Sequence, residues 1–568
     1  MPSPNPSRKS IVDKLETMQR LLVYLLLALL VPTTASSAEL REALGPLMEG
    51  EFALQQGETE VAADAFARAA ALTDDPAIAE RAVRVALAVK DAALARKGLE
   101  RWAALAPEAD DLLAARLRLA LLEGQPEQAR AAAGALLNQP EGWRPLAAAL
   151  VAAADPAQAG ELLGQLLDNA QLPDEMDAWL AFGGVALRLR DTALYERLAR
   201  AAVERFPTEA RALIWKAEAA MARKDNKTAR QALDAVQALA GLTAGESLAV
   251  AAQLNALGDP AAAALALKGA GDDVRVLSAR AAYLAAAEDK PGLAALYAEA
   301  VAKTPEKDAP PMRLLLLGQL AEVQEDNAAA MAWYRQIKDG LQYEQAQLRI
   351  AVLLDRSGAH DAAVDLLREI QASDTEWGEI VRDAYLLEAE LAHARGDIAA
   401  ELGALDRGLE IFQDDAMLRY NRALAYERSD RVEEAIADLR ALAAGEPENA
   451  DWLNALGYTL VDRTDAYEEG LALIEKAIAL KPDSAAIQDS LGWALHRLGR
   501  DEEALPYLRR AFALQRDAEV GAHLASVLDA LGQHEEARSI LRLAHEIEPA
   551  NRALRRVLDA LSVDLGDP

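Results

Sequence analysis

Residues 485–516 read AAIQDSLGWALHRLGRDEEALPYLRRAFALQR. Leu491, Gly492, Leu495, Gly499, Ala504, Leu508 and Ala511 fall at places 7, 8, 11, 15, 20, 24 and 27 of a unit of about 34 residues. That spacing describes two antiparallel helices. They cross closely where places 8 and 20 meet, so only Gly or Ala fits there, while places 7, 11 and 24 fill the space between neighbouring units. The next unit, from 518, repeats the set in register with Leu524, Ala525, Leu528, Gly532, Ala537, Leu541, Ala544 and Pro549. Proline at place 32 ends the second helix because it cannot continue the hydrogen-bond ladder.

The register persists upstream. The unit near 450 supplies Leu456, Gly457, Leu460, Ile474, Ala477 and Pro482 with one inserted residue, and that near 416 supplies Ala423, Tyr426, Ala435, Leu439, Leu442 and Pro447. Weaker units start near 382, 344, 311, 274, 244, 210, 176, 143, 110, 76 and 43, most spaced 33 to 35 residues apart. The pattern resembles the tetratricopeptide repeat. It implies an all-α protein, a right-handed superhelical solenoid of about fifteen helix-turn-helix repeats. A degenerate array over 39–275, a middle array over 276–415, well-matched repeats over 416–549 and a capping helix with tail over 550–568 make up the expected organisation. The cap is expected to turn apolar residues toward the array and Arg552, Arg555, Arg556 and Asp559 outward. The rhythm breaks near 268–275, 304–311 and 371–378, each stretch rich in Gly, Pro or acids.

Composition agrees with helices. Of 568 residues 52% are hydrophobic and only 5% aromatic, and alanine is the commonest type, which favours close-packed helices over sheet. There are 60 basic and 91 acidic residues, a net charge of -31, so a nucleic-acid partner is not expected. The absence of cysteine excludes disulfides, thiolate metal sites and cysteine nucleophiles.

Residues 21–31, LLVYLLLALLV, follow Arg20 and precede PTTASSAEL. Eleven apolar residues are too few to span a bilayer but match a secretory signal, with cleavage after Ala38 and synthesis starting at Met1 or Met18. Loss of residues 1–38, with four bases and two acids, leaves the mature chain near -33. Membrane association is then only peripheral, or through the signal if it stays uncleaved.

Catalytic patterns are missing. No Gly-Lys pair exists for a phosphate-binding loop, Gly269-Ala-Gly271 lacks a third glycine, and Arg538 stands where a second metal-binding histidine would follow His534. The expectation is no enzyme, no cofactor and no metal, with the array leaving no room for a catalytic domain. In the resembled family, places 2, 5, 9, 12 and 13 face a concave surface. Mapped onto this sequence they give Tyr420, Glu427 and Arg428; Asn454, Tyr458 and Asp462; Asp489, Trp493, His496 and Arg497; and, upstream, Arg356, His393 and Arg188. Aromatics among amides and alternating charges suit recognition of a peptide segment. For Tyr458 and Trp493, packing between adjacent first helices is the competing reading.

NALGYTLVDRT (454–464), DSLGWALHRLGR (489–500) and YLRRAFAL (507–514) resemble a branch of exported bacterial repeat proteins typified by the lipoprotein adaptor of the carboxyl-terminal processing protease. The resemblance implies a periplasmic scaffold that binds a PDZ-type serine protease and presents substrates such as cell-wall hydrolases, the protease holding the catalytic serine. It also implies a lipid-bearing cysteine, which this sequence lacks. The alternative is a scaffold of an envelope export or assembly machine for polysaccharide or pili. The sequence leaves self-association open.

Overall fold

The computed structural model describes residues 35–563 apart from 306 and 376, with 35–40 as backbone only. The apolar run 21–31 lies outside the described residues; Ala38 falls in the first described helix, Ala35–Gln56. Among the described residues there are 31 helices and no strand. Thirty form fifteen successive pairs joined by short turns, from Ala35–Gln56 with Thr59–Ala71 to Ala518–Ala530 with His534–Ile547, and Arg552–Leu561 stands alone at the end. None of the described helices is long and apolar enough to cross a membrane.

Two devices set the pairs. Aspartates cap helix after helix: Asp191, Asp225, Asp259, Asp326 and Asp397 each accept the backbone N–H three residues on, satisfying a donor the helix leaves orphaned. The turn between partners needs a left-handed residue at place 15, which Gly499 and Gly532 supply at φ 72° and 73°. Asp430, Lys224 and Arg190 adopt the same conformation where the repeat has no glycine.

The close crossing differs in one respect from its sequence reading. A Cβ on Gly492 would lie 2.5 Å from Leu508 Cγ and 3.2 Å from the Ala504 carbonyl oxygen. Place 8 is therefore kept small mainly by the side chain at place 24, with place 20 approached through its backbone. In some of the weaker repeats the place-24 residue is aromatic. Phe66 covers Gly50, and the fully buried Tyr334 covers Gly318, where a Cβ would sit 2.2 Å from the ring.

The irregular stretches are loops, between Ala266 and Val274, Ala302 and Pro311, and Gln371 and Gly378. Nearby second helices are cut short, Pro260–Ala266 to 7 residues and Asn327–Tyr334 to 8. The first helices Gly340–Arg356 and Gly378–Ala394 run to 17 residues rather than the 13 typical of the others, each starting four residues before the sequence register. The chain forms two compact units, one ending at Leu293 and the other starting at Ala294. In the first, cores built around Phe66, Phe182 and Leu233 follow one another along the chain. In the second the largest core runs from Ala450 to Val557 and includes the terminal helix through Leu554 and Val557.

Candidate functional site

The first helices Ala450–Arg463, Ala485–Arg497 and Ala518–Ala530, with Arg552–Leu561, border a groove of about 480 Å³. Trp493, His496, Arg497, His523, Asp462 and Arg556 line it. The groove exists because the repeat returns the same helix face every 33 to 35 residues, so side chains far apart in sequence meet as neighbours.

Trp493 is half-buried. Its ring stacks on His523 with centroids 4.1 Å apart and 17° between planes, touches His496 at 5.1 Å, and its Nε1 donates to Asp462 at 3.3 Å. It thus packs between adjacent first helices, the competing reading of its place, and also lines the groove. Arg497 donates to the Tyr467 hydroxyl at 2.6 Å, and its guanidinium lies 4.6 Å over the Tyr467 ring. Arg556 reaches back 94 residues to the buried Asp462 carboxylate at 3.3 Å. The cap was expected to carry Arg556 outward; it faces the groove because Asp462, already accepting from Trp493, holds an uncompensated charge that draws a cation.

Beneath the groove lies a buried polar cluster. His523 is 1% exposed, and its Nδ1 lies 3.0 and 3.1 Å from the two oxygens of Asp489. Burial lowers the His523 pKa, but the carboxylates of Asp489, Glu519 and Asp462 outweigh it and hold the imidazole above its ordinary value. The Tyr458 hydroxyl donates to Glu519. Burial, then the Glu519 charge, pushes the Tyr458 phenol well up, and burial raises Glu519 as well. Of this cluster Tyr458, Asp462 and Asp489 were named from the sequence. His523 and Glu519 were not: His523 stands at place 6, which carries no repeat signal, whereas Glu519 stands at place 2 of the unit from 518, a concave place that the repeat rule would have found.

The other named residues sit on the same helix face but apart from this groove. Tyr420 packs its ring 5.1 Å from Trp452, and Asn454 is half-buried. Arg428 and His393 both pair with Glu401, whose side chain is 5% exposed, His393 at 3.5 Å. Arg356 lies 3.5 Å from Glu322, a buried carboxylate that also takes Arg349 and the Tyr334 hydroxyl. Arg188 ends the helix Met176–Arg188 in the other unit. The arginines that pair with Glu401 and Glu322 neutralise buried acids of the chain's own second and first helices, a structural duty that their places in the repeat did not disclose.

Ser526, His523 and Asp489 lie at or beneath the groove and have the residue types of a nucleophile, base and orienting acid. Their geometry differs from that relay. The Ser526 hydroxyl donates to the Ala522 carbonyl at 3.0 Å, and His523 Nε2 has no hydrogen-bond partner. Among the described residues no group of acids and histidines is disposed to hold a metal ion.

The tetratricopeptide repeat family model matches residues 485–517 and 521–551. A TPR repeat-containing protein of Pseudomonas aeruginosa is 35% identical over 208 residues, 37% of this chain and 35% of the relative, so the match spans about a third of that relative's length. Among solved structures, a thermophilic TPR protein of Thermus thermophilus is 23% identical over 32% of this chain and all of its own, with a TM-score of 0.29. The APC/C hetero-tetramer Cut9–Hcn1 is 15% identical over 94% of this chain and 97% of its own, with a TM-score of 0.32.

Proposed function

We propose that this tetratricopeptide-repeat solenoid is a non-catalytic, exported scaffold that acts as adaptor for a carboxyl-terminal processing serine protease and presents cell-wall hydrolases to it. The observation that carries the scaffold reading is the C-terminal groove. Aromatic and guanidinium groups held at fixed positions by Asp462 and Tyr467 offer contact area and directed donors at little cost in entropy. The narrower reading rests on the sequence. The run LLVYLLLALLV marks export, and the stretches 454–464, 489–500 and 507–514 carry the likeness to that adaptor branch. The protein then works in the periplasm, held peripherally by its partners, and its acidity speeds encounter with basic hydrolases.

The test adds the purified mature chain to the protease and a hydrolase substrate. Faster cleavage is expected; unchanged cleavage ends the adaptor reading. Affinity capture from envelope extract that recovers export or assembly components and no serine protease would favour the other scaffold class instead.

A further inference from the structure

A second groove, in the N-terminal unit, has a different character. It measures about 810 Å³ and crosses three first helices, Met176–Arg188, Ala210–Ala222 and Ala244–Ala256. Tyr195 and Trp215 make its floor, tilted with centroids 5.6 Å apart, and both are at least nine-tenths buried. Leu180, Leu187 and Ile214 form apolar walls, and Leu187 is 51% exposed. Adjacent glycines divide the labour at the entrance. A Cβ on Gly183 would strike the Trp215 ring at 2.5 Å, so glycine is needed for the ring to lie flat; a Cβ on Gly184 meets nothing within 4 Å, so its missing side chain leaves the groove open. Among the lining residues Glu209, Glu218 and Glu246 stand against one cation, Arg211, which is already paired with Glu209 and Asp177, while Glu246 accepts from the Thr243 backbone N–H and hydroxyl, both at 2.8 Å, through its Oε2. Burial first, and then the Glu218 carboxylate, raises the Tyr195 phenol above its ordinary value.

We infer that this groove docks a basic amphipathic helical segment of a partner protein, its leucine-type side chains on the Tyr195–Trp215 floor and its lysines or arginines against Glu218 and Glu246. The charge sign argues for that occupant: an apolar floor takes the hydrophobic stripe of a helix, and surplus carboxylates select cations beside it. This inference rests on the scaffold reading and adds a second site to it, in the other unit.

The experiment uses the full mature chain and a synthetic amphipathic peptide of Leu and Lys at helical spacing, labelled with a fluorophore and a photo-crosslinker. Its counterpart carries Glu in place of Lys. Binding of the basic peptide is expected, weakening in high salt, with cross-links on the three first helices named above. Gly184→Leu, which fills the groove from an exposed helix position, should weaken it about tenfold, and Glu218→Lys by a similar factor. Gly134→Leu, also placed in open space but in another repeat, should leave it unchanged. Equal affinity for both peptides, cross-links confined to residues 420–556, or no effect of Gly184→Leu in a chain with unaltered melting would overturn the proposal. So would binding that occurs only to a dimer. None of these readouts uses the protease, so a failed adaptor assay with intact peptide binding discards the adaptor reading alone.

Discussion

His523 shows how far one repeat position can depart from its pattern. Place 6 of the unit from 518 carries no repeat signal, yet the side chain is fully buried against Asp489 and Trp493. Its pKa is raised, so the charged form is favoured by folding. The stabilisation is complete below the unfolded value of about 6.5 and is lost as pH rises through the higher folded value. An imidazole titration followed by NMR should therefore place His523 above the ordinary histidine midpoint, and a value below it would refute the charged pair. Trp493→Ala should remove both the stack and the Asp462 hydrogen bond and cost about 3 kcal/mol of stability in chemical denaturation. A loss below about 1 kcal/mol would mean that the ring serves the groove alone.

At the level of the helix pair, the crossing glycine governs. Gly492→Leu would drive a side chain into Leu508 and the Ala504 carbonyl, and destabilisation of about 1 to 3 kcal/mol is expected, read from the denaturation midpoint. The same change at Gly184 should cost nothing, because no atom lies within 4 Å and leucine has the higher helix propensity. These two outcomes mark the limit of what the sequence carries. Gly492, Ala504 and Leu508 reveal the pair because sterics act at fixed spacing. The start of Gly340–Arg356 and the arginines that neutralise Glu322 and Glu401 stayed hidden, since helix extension and buried ion pairs depend on neighbours that no spacing rule specifies. The groove residues were legible in part for the same reason: Trp493 and Arg497 follow the repeat, whereas Arg556 belongs to a cap with no fixed register.

On the scale of the whole chain, each helix pair is bonded mainly to its neighbours, so stability is close to a sum of local terms and unfolding need not be one concerted event. Hydrogen exchange should show protection that differs along the chain, with Gly492→Leu accelerating exchange in residues 450–557 and leaving the cores around Phe66 and Phe182 unchanged. Uniform acceleration everywhere would contradict this locality. The reach of Arg556 to Asp462 sets a practical boundary inside that local behaviour. Anyone trimming the gene to its two best-conforming motifs, from 485 onward, would strip away the carboxylate that both the tryptophan and the final arginine lean on. The smallest self-sufficient C-terminal piece should begin by Ala450, one motif earlier than pattern matching alone would suggest.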